Sequence, residues 1–231
     1  TRGSSPFTLL VDTGDAALGQ NAGTDGRVRA ADFLQSEGVG TVDLLVLTHL
    51  HRDHVGGLGA LLKAVRVQKL LTNYLPAPRF FGASILPRAA ECAVPSGIAT
   101  GVDQYLSALA TLAQSGCELE ECANTRRDVA LTPELGCDLA CCDPFLYRRY
   151  RAAVEGLVQG EPDCRELALL RAYMNLTSLR LVLTYRGRRL FLPADAYADY
   201  WEDDAAGPCH LLKVPHHGCA GAVTERLLRA L

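Results

Sequence analysis

Thr48–His49–Leu50–His51–Arg52–Asp53–His54–Val55–Gly56–Gly57 holds three of the chain's six histidines within six residues. It follows directly on Val42–Asp43–Leu44–Leu45–Val46–Leu47, an apolar run of the kind expected for a strand covered on both faces. Loops at strand ends are where a rigid scaffold usually carries chemistry. His49 and His51 stand two residues apart and can point the same way, while Asp53 and His54 belong to the next turn and face a second centre. Neutral imidazole nitrogens and carboxylate oxygens grouped in this way suit a divalent transition metal. Crowding these imidazoles without a metal would cost desolvation and repulsion. The loop therefore reads as metal-binding, with donors for two adjacent ions.

Working outward, Thr8–Leu9–Leu10–Val11–Asp12 is a second buried strand that delivers a carboxylate at the turn Asp12–Thr13–Gly14. Residues 15 to 25 are small and polar, hence a loop. Val28, Ala31 and Leu34 are spaced as on a helix over 27–37, and a further helix opens at Gly56–Gly57 and runs to about Val65. A strand is expected at 69–72. Between 73 and 100 no periodicity is visible. Helices are expected over 101–114 and, with a break at Gly160–Pro162, over 145–173. Short strands are expected at 128–131 and 137–142. A hairpin over 179–192, joined at Arg186–Gly187–Arg188, leads to Pro193–Ala194–Asp195. A last strand, 211–214, leads into Pro215–His216–His217–Gly218, and a helix closes the chain from about Val223. Trp201, beside Glu202, Asp203 and Asp204, reads as a helix start.

Composition bounds the rest. The 231 residues are 48% hydrophobic and 21% charged, an ordinary globular mixture that excludes disorder and collagen-like repetition. No apolar stretch approaches the eighteen or so residues of a membrane span, and no leader peptide is visible. A net charge of −3 argues against a protein coated for duplex DNA. Of its 23 cations only Lys63, Lys69 and Lys213 are lysine. The arginine groups Arg126–Arg127, Arg148–Arg149–Arg151 and Arg186–Arg188–Arg189 read either as solvated faces or as bidentate phosphate contacts. Tyr147, Tyr150 and Tyr173 read either as core or as a stacking platform for bases. The nine cysteines are odd in number and contain no CxxC pair, so they read as free thiols of a reducing compartment. The expected compartment is the cytoplasm, with an extracytoplasmic domain of a larger membrane protein as the alternative.

His49-x-His51-x-Asp53-His54 followed by two glycines resembles the signature loop of the metallo-β-lactamase superfamily. Asp12–Thr13–Gly14, Asp195 and His216–His217–Gly218 match its other motifs in order. Asn175-x-x-Ser178, Leu192–Pro193–Ala194–Asp195 and Lys213–Val214–Pro215–His216–His217–Gly218 are most similar to the metallo-hydrolase domain of the competence protein ComEC and its free-standing relatives. The resemblance spans roughly Leu9 to Gly221. It implies an α/β fold, a four-layer αββα sandwich truncated at both ends. This would be a single hydrolase domain over 1–231 with a helical insertion around 144–173.

The resemblance also implies roles. His49 and His51 would hold a first metal; Asp53, His54 and one of His216 and His217 a second; and Asp195 would bridge the two. Which of His216 and His217 is the ligand stays open, the other being a supporting residue or proton donor. Asp12 would brace the ligand loop or cap its turn. Asn175 stands where many relatives have a third histidine for the first metal, which implies a weaker first site. Ala194 stands where relatives carry glycine, a place open to alanine if φ is negative. The implied cofactors are two divalent transition metals, zinc with manganese as the alternative. A metal-bound hydroxide would attack the substrate, with Asp53 or the spare histidine moving the proton. The implied substrates are phosphodiesters, single-stranded DNA among them. The alternatives are β-lactam or thioester hydrolysis on the same metals, or a non-catalytic module binding metal and nucleic acid.

Overall fold

The computed structural model describes residues 6–17, 26–200 and 208–231. The strand expected at the first apolar run is β1, Leu9–Val11. Helix α1, Ala30–Ser36, follows, and then β2, Thr41–Leu47, whose last four residues are buried. The histidine loop contains a one-turn helix α2, Arg52–Val55, before α3, Leu58–Ala64, and β3, Arg66–Thr72. Then come α4, Leu86–Glu91, α5, Ser96–Gln114, and β4, Glu118–Glu121. Strands β5, Arg126–Ala130, and β6, Leu135–Ala140, precede α6, Pro144–Gln159, α7, Cys164–Ala168, and α8, Leu170–Leu176. The chain ends with β7, Arg180–Tyr185, β8, Arg188–Leu192, β9, Leu211–Leu212, and α9, Glu225–Ala230. The expected helix start at Trp201 and most of the loop expected up to residue 25 lie outside the described residues. The architecture is mixed α/β with two sheets, as the resemblance implies.

The chain divides into two compact units, residues 1–121 with 153–168, and residues 122–152 with 169–231. The first holds a four-stranded sheet, β1-β2-β3-β4, parallel throughout. Parallel strands need crossovers, and α1 to α5 supply them. Leu45, Val46 and Leu47 of β2 and Leu70 of β3 are buried, as are Val102, Tyr105, Leu106, Leu109 and Leu112 of α5. That helix packs against α2, α3 and α4. Tyr105 donates to the Tyr74 carbonyl at 2.5 Å, and Tyr74 donates to Glu155 at 2.8 Å, which ties the returning segment 153–168 into this unit. Cys92, just past α4, and Cys164, at the start of α7, form a disulfide. The free-thiol expectation is thus corrected for these two cysteines. They are brought together by the fold of the unit across 72 residues of sequence, a pairing that spacing does not reveal.

The second unit holds the sheet β5-β6-β7-β8-β9, antiparallel except for the parallel pair β8–β9. Tyr185 pairs with Arg188, so the hairpin turn is the two residues Arg186–Gly187. Both have positive φ, 47° and 77°, the conformation that matches the twist of two-residue hairpins. Val182, Phe191, Ala196, Ala198 and Leu227 form a buried cluster that seats α9 against β7 and β8. Among the described residues no helix is long and apolar enough to cross a membrane.

Candidate metal centre

In the first unit, β1 and β2 end side by side, with Val11 paired to Val46. Their carboxyl ends place Asp12 against the histidine loop. Oδ1 of Asp12 accepts from the Thr48 backbone N–H and Oδ2 from the Thr48 hydroxyl, each at 2.8 Å. Oδ2 also meets His54 Nδ1 at 2.7 Å. An ionised carboxylate only accepts, so His54 carries its proton on Nδ1 and leaves a lone pair on Nε2. The same logic reaches His49. The Thr48 hydroxyl spends its one proton on Asp12 and can only accept from His49 Nδ1, 3.1 Å away. His49 Nε2 is therefore also a lone-pair nitrogen. One carboxylate fixes two imidazole tautomers, the arrangement by which a carboxylate behind a histidine orients a metal ligand.

The loop suits an ion in spacing as well. His49 Nε2 and His51 Nδ1 face each other at 3.1 Å. Two nitrogens bound at about 2.0–2.1 Å to one tetrahedral zinc would stand roughly 3.3 Å apart. His54 Nε2 lies 3.9 Å from Asp53 Oδ2. His49 and His54 are buried, His51 half-buried and Asp53 exposed, so the donors run from interior to solvent. Thr13 clamps the same loop from below, its N–H and hydroxyl both donating to the His54 carbonyl at 2.7 and 2.9 Å. Two glycines let backbones pass here. A Cβ on Gly57 would stand 2.3 Å from the Thr13 carbonyl oxygen, and one on Gly101 of α5 would stand 2.4 Å from that of Leu50. Arg52, between His51 and Asp53, pairs with Asp15 at 3.0 Å.

In the second unit, Asp195 is buried in the turn after β8, and His217 Nε2 lies 3.8 Å from its Oδ2. His216 points elsewhere. Its ring packs edge-on against Tyr197 at 5.0 Å, and its backbone N–H donates to the Ala194 carbonyl. Asn175, at the end of α8, is buried, and its Oδ1 has no hydrogen-bond partner among the described residues. A buried amide oxygen in that state is the exception in folded proteins and fits a ligand position.

Backbone strain concentrates on the same residues. Among the described residues seven non-glycine positions have positive φ, and four of them are Asp12, Ala194, His216 and His217. Each costs about 1–2 kcal/mol against an ordinary conformation. Such outliers persist where the surrounding structure dictates them, and they cluster at active sites. Ala194 has φ 52°, so the negative φ under which alanine would be neutral is not found.

Residues 7–74 match the metallo-beta-lactamase superfamily. The match covers Asp12 and the whole histidine loop and ends before Asn175, Asp195 and the His216–His217 pair. No curated protein matches the chain. With the His/Asp donors just described, the match to this superfamily indicates a metal-dependent hydrolase. Thr48, Thr13, Tyr197 and Gly101 were not singled out as site residues by sequence reasoning. Thr48 and Thr13 carried a signal, since both lie within the quoted motifs; Tyr197 and Gly101 become visible only through contacts.

For the tyrosines, the structure decides between the two readings left open by the sequence. Tyr147, Tyr150 and Tyr173 are buried, as core. Arg186 makes two hydrogen bonds of 3.0 Å to Glu134, and Arg127 lies 3.6 Å from Asp138. The Arg186 guanidinium holds the Glu134 carboxyl below its ordinary pKa. Arg149 stacks over the rings of Phe145 and Tyr173.

Proposed function

We propose that the chain is a metal-dependent hydrolase of phosphodiesters, single-stranded DNA among them, acting as one domain over both units. His49, His51, Asp53 and His54 of the first unit would offer donors to divalent ions, and Asn175, Asp195 and His217 of the second unit are the further donors the resemblance implies. The reading rests above all on the Asp12 network, which sets His54 Nδ1 and, through Thr48, His49 Nδ1 as the protonated nitrogens of the neutral imidazoles. The second support is the buried Asn175 oxygen. His217 is preferred to His216 as ligand because it is the one beside Asp195.

When bound, divalent ions such as zinc supply Lewis acidity to the attacking water and to the phosphoryl group. The chain's own residues do the rest. Asp12 keeps the two imidazoles in the tautomer that offers Nε2. Asp53, exposed beside His54, accepts the proton from the attacking water on a carboxylate oxygen. His216, held off from Asp195 by its packing on Tyr197, returns a proton to the leaving oxygen. With Arg127 and Arg186 paired to carboxylates, the exposed Arg148 of α6 and Arg188 of β8 would supply phosphate contact.

The test is a chromogenic phosphodiester set against a chromogenic cephalosporin, each with protein stripped by chelator and then reloaded with zinc or manganese. Metal-dependent turnover of the phosphodiester is expected. Turnover of the cephalosporin alone would move the reading to β-lactam hydrolysis, and none on either substrate with metal bound would make the chain a binding module.

A further inference from the structure

We propose that Cys122 and Cys141 form a second, reversible disulfide, a thiol–disulfide site in the unit that the Cys92–Cys164 bond does not reach. Cys122 opens this unit just after β4, and Cys141 follows β6. Their Sγ atoms are 3.6 Å apart, and Cys141 Sγ also lies 3.2 Å from the Cys122 carbonyl oxygen. Both are buried. The backbones are held side by side independently of the sulfurs. The Cys141 N–H donates to Thr125 Oγ1 at 3.1 Å, and Arg126 pairs with Leu139 where β5 meets β6. The two cysteines thus sit at the open end of the β5–β6 hairpin, beside its Arg126–Leu139 pair and ahead of the register shift between Arg126 and Val129. A bond there needs the sulfurs to close from 3.6 Å to roughly 2.05 Å.

The chemistry balances with a small-molecule disulfide such as oxidised glutathione. Each thiol gives up a proton, and the pair gives up two electrons. The Cys122–Cys141 bond forms as the oxidant's sulfur–sulfur bond breaks, and two small thiols leave. Contact with Cys122, and then burial, hold the Cys141 thiol protonated. Exchange needs thiolate, so it begins only when the buried pair gains access to solvent. The remaining link is to the neighbouring elements. The Cys141 carbonyl accepts from Arg180 of β7 at 2.9 Å, and Asp143, two residues on, caps α6 through the Phe145 and Leu146 N–H groups. Closing the bond would fix the joint from which both elements depart.

The full chain is equilibrated over a series of oxidised-to-reduced glutathione ratios, quenched with an alkylating agent, digested and mapped by mass spectrometry. A linked peptide pair containing Cys122 and Cys141, lighter by two hydrogens, is expected to appear as the ratio rises. Its formation should lag alkylation of the exposed Cys219 by roughly tenfold or more. Cys142→Ser should leave the linkage intact, and Cys122→Ser should abolish it. Should Cys122→Ser not fold, the map of the unmodified chain decides. Recovery of both thiols alkylated at every ratio that keeps Cys92–Cys164 closed would overturn the proposal. So would a linkage of either one to Cys137 or Cys142.

Discussion

Replacing Gly101 by alanine sets two effects of opposite sign against each other, and the distances decide between them. In an ordinary helix interior the change stabilises by about 0.8–1 kcal/mol, because alanine loses less backbone entropy than glycine. At Gly101 the new Cβ would meet the Leu50 carbonyl oxygen at 2.4 Å and the Arg52 nitrogen at 2.8 Å. Both are backbone atoms of the ligand loop, so no side chain can swing aside. The loop must yield by about 0.6 Å to reach even the closest approach real Cβ atoms show. Overpacking of this kind costs about 1–3 kcal/mol. The net result should be a loss of up to about 2 kcal/mol. The larger effect falls on metal affinity, since His49, His51 and Asp53 flank the displaced atoms; a drop of roughly ten- to a hundredfold is expected. Gly97, in the same helix, is the internal control, because a Cβ there meets nothing within 4 Å. Urea denaturation gives the stabilities, and competition with a chromophoric chelator gives the affinities. If Gly101→Ala raises the urea midpoint as Gly97→Ala should, with metal affinity unchanged, the close approach of α5 to the ligand loop is wrong.

Three further expectations concern single side chains. Asp12→Asn keeps the shape but no longer forces the proton onto His54 Nδ1, so metal affinity should fall roughly ten- to a hundredfold with the circular dichroism unchanged; unaltered affinity would refute the tautomer argument. Ala194→Gly removes a left-handed alanine at a cost in unfolded-state entropy of about 0.5–1 kcal/mol against a relief of about 1–2 kcal/mol, so the urea midpoint should rise by the equivalent of about 0.5–1 kcal/mol, whereas a fall would show the methyl to be packed usefully. Burial pushes the Cys142 thiol up to about 11, so the thiolate is scarce at neutral pH, and its alkylation rate should climb about tenfold per pH unit until near that value; a plateau by about pH 9 would contradict the burial.

What the sequence made legible is what local pattern controls. The buried run of β2 and the spacing of His49, His51, Asp53 and His54 were readable because strand ends and metal donors leave signatures within ten residues. The turn at Arg186–Gly187 was readable because glycine marks the left-handed position. Strand β4 was not, since Glu118–Leu119–Glu120–Glu121 has no strand propensity. It exists because β3 offers an edge and Lys69 pairs with Glu118 and Glu120 at 2.7 and 2.6 Å. Helix α4 and the first turn of α5 were missed for a related reason. They begin beside Pro87 and Pro95, residues that signal breaks in a sequence yet serve well in a first helical turn or just before it. In the candidate site, the positions of the His and Asp residues could be read but the contacts around them could not. Gly101 acts through an absent methyl, and the Thr48 bridge between Asp12 and His49 depends on where a hydroxyl proton goes.

The Cys92–Cys164 bond has a topological consequence. The first unit is discontinuous in sequence, and this bond joins its two pieces. Everything from Ala93 to Asp163 is thereby enclosed in a covalent ring that includes α5, the β5–β6 hairpin and α6. A protease nicking the ring once would yield no separate fragments until the bond was reduced. On a non-reducing gel the cut chain would run as a single species, with the segment 153–168 still tethered to the helices it packs among.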